Sequence, residues 1–190
     1  PGHSAETFPE QMKAVLDANV LFPTILREIL IDLAKAGLYQ PLWSGRILAE
    51  WRHAAARLGA DQDAVAGAEI ALLHADFPDA AMPDDGVRAI DLDFPDPADR
   101  HVAEAALAGG AGLIVTANLR DFPQYLMQAL GLRAIHPDSF LLDLHRDNPA
   151  LVVGAVHGAH EKATRMGSTM TVAEMLKRSR LPRLNKALKG

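Results

Sequence analysis

The ten residues KAVLDANVLF, numbers 13–22, indicate the class of fold. Residues 13–16 form a short, mostly apolar run that is typical of a buried strand, and the apolar residues of segment 22–36 recur with the period of a helix. Asp17 stands where the strand should give way to the helix. Because open α/β sheets carry out their chemistry in the crevice at the carboxyl ends of the strands, Asp17 is a candidate functional residue.

A second strand end delivers another carboxylate. The run GLIV, residues 112–115, is the most strand-like segment of the chain, and it leads through TANLRDF to Asp121. By the same geometry, Asp121 should lie at the carboxyl end of its strand. Two acids that leave two strand ends suggest a shared site for a hard cation.

The remaining periodicities predict an α/β chain in which helices follow strands. We expect helices at 44–58, 61–74, 96–109, 122–130 and 138–145, and further strands at 87–94 and 132–135. The segment 76–86, rich in Asp, Pro and Gly, predicts a loop. This order favours a mostly parallel central sheet covered by helices.

The composition is that of an ordinary globular protein. The 190 residues predict one domain, with 49% hydrophobic and 23% charged residues. The longest nearly apolar run falls short of the ~20 residues that span a bilayer, and no signal-peptide pattern is visible, so we expect a cytoplasmic protein without membrane contact. The absence of cysteine excludes disulfides, thiolate zinc sites and a cysteine nucleophile.

The chain is predicted to have three parts. A disordered segment is expected at 1–11, followed by the main domain at 12–147. The dipeptide Asn148-Pro149 marks the boundary, because proline cannot continue a preceding helix. Residues 148–190 are then a small helical extension, with one helix to about residue 166 and a second that begins at Thr171.

Charge is distributed unequally along the chain. Residues 1–160 carry 11 Lys and Arg against 22 Asp and Glu, a net charge of −11. Residues 161–190 carry 8 Lys and Arg against 2 Glu, a net charge of +6. An acidic body with a basic tail indicates either a polyanionic partner or a solvated basic helix face, and the sequence leaves both open.

Asp99 is the acid with the most informative surroundings. It shares one helix face with three apolar residues, Val102, Ala103 and Ala106. The helix dipole contributes only ~0.3–1 kcal/mol to an acid in the first turn, whereas burying a carboxylate without a counter-charge costs several kcal/mol. We therefore expect a positive group beside Asp99. Asp96 is better suited to cap the helix, with Pro97 in the first position.

The other acids have structural alternatives. Asp17 could cap the helix that follows it, and Asp121 could cap a helix that begins at Phe122. Glu50 borders the apolar stripe of its helix next to Trp51, so it is either an exposed helix residue or a half-buried acid in need of a partner. The sequence alone leaves these alternatives open.

Taken together, four converging acids are best explained by a divalent cation. Carboxylates that lie close together repel one another and raise each other's pKa unless a cation neutralises them. An oxygen-only donor set favours Mg²⁺ or Mn²⁺ over zinc, and such an ion serves phosphoryl chemistry. No dinucleotide fingerprint, HExxH zinc motif, GxSxG elbow or P-loop competes with this interpretation.

Four segments of the chain resemble the PIN domain, and in particular the VapC-type toxins of bacterial toxin–antitoxin pairs. In chain order they are LDANVLF (16–22), AEW (49–51), DPADRHVAEAAL (96–107) and IVTANLRDF (114–122). The resemblance covers roughly residues 12–144. It implies a three-layer α/β/α sandwich and a metal-dependent endoribonuclease, and a helical extension like 148–190 occurs in some longer relatives.

The resemblance also assigns roles to the acids. The family's catalytic acids fall on Asp17, Glu50, Asp99 and Asp121. Three of them would be ligands of Mg²⁺ or Mn²⁺, namely Asp17, Asp99 and Asp121, and Glu50 would be a further ligand or the base that positions water.

Two neighbouring features bear on this assignment. Thr116 and Asn118 match the polar segment that orders the family's site. Asp96 lies close to Asp99 in sequence, so that either could be the third acid, and the helical-face argument favours Asp99. The implied reaction is hydrolysis of an RNA phosphodiester by a water molecule activated on the metal.

Two partners are implied, RNA as substrate and an antitoxin protein that blocks the acidic site. The alternative from another class is a non-catalytic RNA-binding or scaffold protein that retains the fold, and a DNA-directed nuclease is not separated by sequence. Basic residues of the extension could contact RNA phosphates, namely Arg178, Arg180, Arg183 and Lys186. Alternatively, leucines of the extension pack it onto the domain or onto a second subunit in a homodimer.

Overall fold

The computed structural model describes residues 11–190. A five-stranded parallel sheet lies at its centre, with the strands in the spatial order β3-β2-β1-β4-β5. The strands are β1 (Lys13–Leu16), β2 (Gln40–Ser44), β3 (Ala81–Met82), β4 (Leu113–Val115) and β5 (Arg133–Ile135). All four neighbouring pairs are parallel. The predicted α/β/α architecture with a parallel central sheet is confirmed.

Ten helices surround the sheet in the described part of the chain. They are α1 (Ala18–Leu21), α2 (Thr24–Lys35), α3 (Gly45–Ala56), α4 (Ala60–Asp76), α5 (Arg100–Gly109), α6 (Gln124–Leu130), α7 (Pro137–Asp147), α8 (Pro149–Arg165), α9 (Val172–Arg178) and α10 (Pro182–Leu188). Two short 3₁₀ turns precede α5 and α6, at Pro97–Asp99 and Leu119–Asp121. Helix α2 corresponds to the predicted helix 22–36 and begins after its N-cap Pro23, whereas the short helix α1 before it was not predicted.

The strand order reverses beside β1. The chain passes from β1 to β2 in one direction and from β3 to β4 in the other. Because crossovers between parallel strands are right-handed, α2 and α5 cover opposite faces of the sheet. An order reversal of this kind opens a crevice at the carboxyl ends of the strands, here between β1 and β4.

Strand β2 is missing from the sequence prediction because its residues, QPLWS, include a proline. The proline is tolerated for a geometric reason. Gln40 donates its N–H towards β1 and Trp43 donates its N–H towards the β3 side, so position 41 also faces the β3 side. Strand β3 begins only opposite Trp43, and the N–H that Pro41 lacks would have no strand partner there.

The predicted strand at 87–94 is wrong. This segment is a series of turns, and the third strand is instead Ala81–Met82, inside the predicted loop. Val87 and Ile90 are 62% and 56% exposed, and only Ala89 between them is fully buried. The buried carboxylate of Glu104 holds the turn by accepting the N–H of Ala89 at 2.6 Å. Because Glu104 lies 15 residues further along the chain, this contact leaves no periodic pattern in the local sequence.

The two glycines that end α5 serve different purposes. Gly110 has a φ of +67°, in the left-handed region where glycine is free of strain. A Cβ on Gly109 would lie 2.5 Å from Leu42 Cδ1 of β2. The predicted helix stop at this pair is thus confirmed, and the first glycine also allows α5 to approach the sheet.

The C-terminal helices pack against the rest of the same chain. Helix α8 contacts α2 and α7, and α10 contacts α7 and α9. Leu176, Leu181 and Leu184 are fully buried. Asp138 at the start of α7 caps α10 by accepting the N–H groups of Arg183 and Leu184, both at 3.0 Å. Of the two uses predicted for these leucines, packing onto the domain is therefore the one observed within a single chain.

Two further sequence predictions concern the ends of the chain and membranes. The predicted disordered segment 1–11 lies outside the described residues except for Gln11, whose side-chain amide donates to the carbonyl of Gly37 at 2.7 Å. Within residues 11–190 every helix is too short or too polar to cross a bilayer.

Candidate active site

Asp17 lies at the carboxyl end of β1 and is 6% exposed. Its carboxylate accepts three hydrogen bonds, from the N–H of Ala18 at 2.8 Å, the hydroxyl of Thr116 at 2.9 Å and the amide of Asn19 at 3.2 Å. Burial raises the pKa of Asp17, and the donors Thr116 and Ala18 partly offset that rise by stabilising the charged form. Asp17 therefore both caps α1, as the structural alternative predicted, and faces a cluster of polar groups.

Thr116 ties the ends of β1 and β4 together. Besides donating to Asp17, its hydroxyl oxygen accepts from Asn19 at 3.1 Å and from the N–H of Asn118 at 3.1 Å. The side chain of Asn19 also accepts the N–H of Ala117 at 3.0 Å. This network holds the polar segment after β4 against the end of β1. No role was predicted here for Asn19, although its position two residues after Asp17 could have suggested one.

Asp121 lies at the end of the polar segment that follows β4. It ends the 3₁₀ turn Leu119–Asp121, and its carboxylate accepts a short hydrogen bond from the Asn118 side-chain amide. The alternative in which Asp121 caps a helix from Phe122 is wrong, because α6 begins only after Pro123.

Asp99 lies near the two other aspartates, whose charges act on it. It lies at the junction of the 3₁₀ turn and α5, half-buried, and its Oδ2 has no hydrogen-bond partner within residues 11–190. Burial, a hydrogen bond with Asp121 and the charges of Asp121, Asp17 and Asp96 raise the pKa of Asp99 to about 7. Three acids from β1, α5 and the β4 loop are thus brought together.

Asp96 has the structural role that the helical-face argument predicted. It is exposed, and its carboxylate caps the 3₁₀ turn by accepting the N–H of Ala98 at 2.9 Å. Pro97 occupies the first position of that turn. Of the two acids, Asp99 is the half-buried one on which Asp17 and Asp121 act, and Asp96 is the exposed cap.

Glu50 on α3 joins the crevice through a histidine. Its Oε1 lies 2.9 Å from Nε2 of His101, and its side chain is 41% exposed. His101 is buried on α5, two residues after Asp99, and its Nδ1 has no partner in the described structure. The charges of Glu50 and His101 both act on Asp17. The charges that act on Asp99 are all those of carboxylates, so the positive group expected beside Asp99 is not found among residues 11–190. His101, which sequence reasoning missed, contacts Glu50 and acts on Asp17 instead.

Glu104 is a further buried acid, and no pattern in the sequence pointed to it. It accepts the N–H groups of Arg88 and Ala89, and Arg100 lies 3.6 Å away. A Cβ on Gly86 would collide with its carboxylate at 2.5 Å. These contacts make Glu104 an anchor for the loop before α5, which supports the position of Asp99.

The chemistry of this cluster fits a divalent cation. Its donors are carboxylate oxygens, one buried oxygen of Asp99 is unpaired among the residues described, and the three aspartates repel one another. As the side chains stand, no three Asp, Glu or His residues of segment 11–190 are spaced to hold a metal ion. Protein donors occupy Asp17, Asp121 and Glu50. A cation would therefore have to replace some of these hydrogen bonds.

Comparison with known proteins agrees with this geometry. The family model described as PIN domain matches residues 13–120, more than half of the chain. A relative named "Putative ribonuclease VapC50", from Mycobacterium tuberculosis (strain ATCC 25618 / H37Rv), is 49% identical over 45 residues. That match covers 24% of this chain and 27% of the relative, so the chain spans about a quarter of the relative's length. No solved structure matches the chain. With its parallel sheet and its acids at the carboxyl edge, the chain belongs to the PIN domain family.

Proposed function

We propose that this protein is an endoribonuclease that depends on Mg²⁺ or Mn²⁺ and hydrolyses RNA phosphodiester bonds. The observation that carries the proposal is the convergence of Asp17, Asp99 and Asp121; burial together with the neighbouring carboxylates raises the pKa of Asp99 to about 7. A structural protein gains nothing from three aspartates that destabilise one another, whereas a metal-dependent nuclease requires them. Membership of the PIN family and the local similarity to a protein named as a ribonuclease support the same activity.

The four acidic side chains have separate roles in the proposed hydrolysis. Asp17, Asp99 and Asp121 would hold the cation, which supplies a water molecule of lowered pKa and stabilises charge on the scissile phosphate. Glu50, oriented by His101, accepts the proton of the attacking water or positions that water. Water adds to phosphorus while the bond to the 3′ oxygen breaks. The products are a 5′-phosphate and a 3′-hydroxyl.

A cleavage assay on matched single-stranded RNA and DNA tests this activity. We expect RNA to be cut in the presence of Mg²⁺ or Mn²⁺ and both substrates to remain intact in excess EDTA, because the carboxylates alone do not activate water. Mapping the product ends should show 5′-phosphates. Cleavage that persists in EDTA would refute the metal-dependent mechanism.

The same assay separates the two rival functions. A non-catalytic RNA-binding or scaffold protein would bind RNA without cutting it under any metal condition. A DNA-directed nuclease would cut the DNA substrate faster than the RNA. The repulsion among Asp17, Asp99 and Asp121, with the charge of Glu50 also acting on Asp17, favours catalysis over a scaffold role, since a scaffold has no use for it.

We further propose that the protein is the toxin of a type II toxin–antitoxin pair and acts in the cytoplasm. Support comes from the VapC similarity and from the acidic crevice, which can receive an inhibitor's Arg or Lys in place of a cation. A planar guanidinium pairs with two carboxylate oxygens at once, so arginine is the better fit.

Growth experiments test the toxin role. Induction of the chain in its own host should arrest growth, and expression of the neighbouring gene should restore it. The Asp17→Asn variant, expressed to the same level, is the matched control and should be harmless. Unimpeded growth of cells that express the intact chain alone would contradict the toxin role while leaving the nuclease activity to the cleavage assay.

A further inference from the structure

The C-terminal extension reaches the same edge of the sheet as the acids. Strand β5 follows β4, and the N–H of Thr116 donates to the carbonyl of Ile135 at 3.0 Å. His136 therefore comes directly after the strand that neighbours Thr116. With strands about 4.8 Å apart, His136 lies two strands, or roughly 10 Å, from Asp17 along the edge.

Asp138 fastens the extension to that edge. It is 5% exposed, and both of its carboxylate oxygens are used, one by the N–H of Arg183 and one by that of Leu184. Its own N–H donates to Nδ1 of His136 at 3.1 Å. These bonds hold the backbone of Arg183 beside His136, at the edge that carries the acids.

Arg180 has a backbone conformation that calls for explanation. It is the non-glycine residue of segment 11–190 with a positive φ, at +58°. Glycine adopts this conformation without strain, and an exposed arginine does not. The turn places Arg180 so that its charge, like that of Arg183, acts on His136. The positive φ belongs to the turn that ends α9, in which the N–H of Leu181 donates to the carbonyl of Leu176 at 2.9 Å, and this turn sets where the Arg180 side chain leaves the backbone.

His136 is suited to donate a hydrogen bond in this setting. Because its Nδ1 accepts from Asp138, the neutral ring carries its proton on Nε2. Burial and the charges of Arg180 and Arg183 lower the pKa of His136, against the opposing charge of Asp138. The neutral His136 ring thus offers an N–H donor where the charges of two exposed arginines act.

We propose that Arg180, Arg183 and His136 form a phosphate-binding subsite for the RNA strand, next to the phosphate that is cleaved. The inference rests on the proposed nuclease function and extends it to substrate binding. Residues 1–160 carry a net charge of −11 and repel RNA at long range. Two exposed arginines near the edge that carries the acids offset that repulsion where the strand must pass.

The structure narrows the choice among the basic residues of the extension. Arg178 and Lys186 are exposed as well. Only Arg183, however, is hydrogen-bonded to Asp138 among these four residues, through its backbone N–H. The charges that act on His136 are those of Arg180 and Arg183. Packing of the extension through its leucines and phosphate contact through its arginines are therefore compatible. Leu181 and Leu184 are buried, and the backbone N–H groups of Arg183 and Leu184 are bound by Asp138 at this edge.

The test compares RNA binding of two double variants in an Asp17→Asn background, which prevents consumption of the RNA. The first carries Arg180→Gly and Arg183→Gln. Glycine relieves the positive φ, and glutamine keeps the N–H that Asp138 accepts, so this variant should be at least as stable as its parent. The second, Lys35→Gln with Arg133→Gln, removes the same charge from the opposite edge of the sheet.

Affinity for a labelled single-stranded RNA is measured with Mg²⁺ between 0.1 and 1 M salt. Two lost phosphate contacts lower the salt slope by about 1.4, so the deficit of the first variant should grow about 25-fold from 1 M to 0.1 M salt. The second variant should bind like its parent. Equal affinity of the first variant and the parent, or equal weakening of both variants, would overturn the subsite. Cleavage of RNA by the wild type, measured separately, tells whether the nuclease proposal itself stands.

Discussion

Replacing Asp17 with asparagine is expected to lower RNA cleavage by roughly 10³-fold or more. Asp17 lies at the centre of the site, where it accepts from Thr116, Asn19 and Ala18 and faces the other acids. Asparagine has the same shape and can still cap α1, but it removes the negative charge that attracts the cation. The loss should appear in single-turnover cleavage of RNA with saturating Mg²⁺.

The fold of this variant should be intact. The Asp17 carboxylate is buried and its pKa is raised, so a neutral side chain removes a desolvation cost. The matched control is Asp96→Asn, which also neutralises one acid but at an exposed cap that asparagine serves equally well. Activity of the control should stay within roughly threefold of the wild type. Wild-type cleavage by Asp17→Asn, or an equal loss in both variants, would remove Asp17 from the mechanism.

The second large effect expected is on stability, and it arises from Asp99. The pKa of Asp99 is about 7 in the folded protein, against 3.8 for an ordinary aspartate. Between these pH values the folded state binds more protons than the unfolded state, so the free energy of unfolding falls as the pH rises from about 4 to 7. Because Asp99 is half-buried, solvent screening reduces the expected loss to about 2 kcal/mol.

Asp99→Asn should therefore stabilise the metal-free protein while it abolishes cleavage. In urea unfolding with EDTA, the gain over the wild type should be about 2 kcal/mol at pH 8 and should shrink towards pH 4. Added Mg²⁺ should stabilise the wild type and have a much smaller effect on the variant, since ligand binding to the folded state shifts the unfolding equilibrium. A variant less stable than the wild type at pH 8 would show that Asp99 is a structural acid.

Much of the fold follows from local sequence. Strand β1, the Ser44 cap of α3, the start of α5 behind Asp96 and Pro97, and the helix stop at Gly110 all leave local signals and were predicted. Ser44, for example, accepts the N–H of Ile47 at 3.2 Å, as its position before an amphipathic run suggests. Such features depend on residues within one turn of each other.

The errors involve elements that local sequence does not determine. Strand β2 carries Pro41 in a place that is acceptable only because β3 begins two residues later, opposite Trp43. Segment 87–94 contains alternating apolar residues, but the distant carboxylate of Glu104 holds it in turns. Both outcomes depend on partners that lie far apart along the chain.

The sequence by itself determined the class of fold and nominated the acids Asp17, Glu50, Asp99 and Asp121, since strand ends and helix faces follow from short-range periodicity. Their catalytic roles stay predictions. Only the tertiary structure decided that Asp99 rather than Asp96 enters the crevice, that His101 holds Glu50, and that the extension meets the carboxyl edge through Asp138. The physical reason is that hydrogen bonds and charge interactions depend on distance in space, and crossovers between parallel strands bring together residues that are up to about a hundred positions apart in sequence.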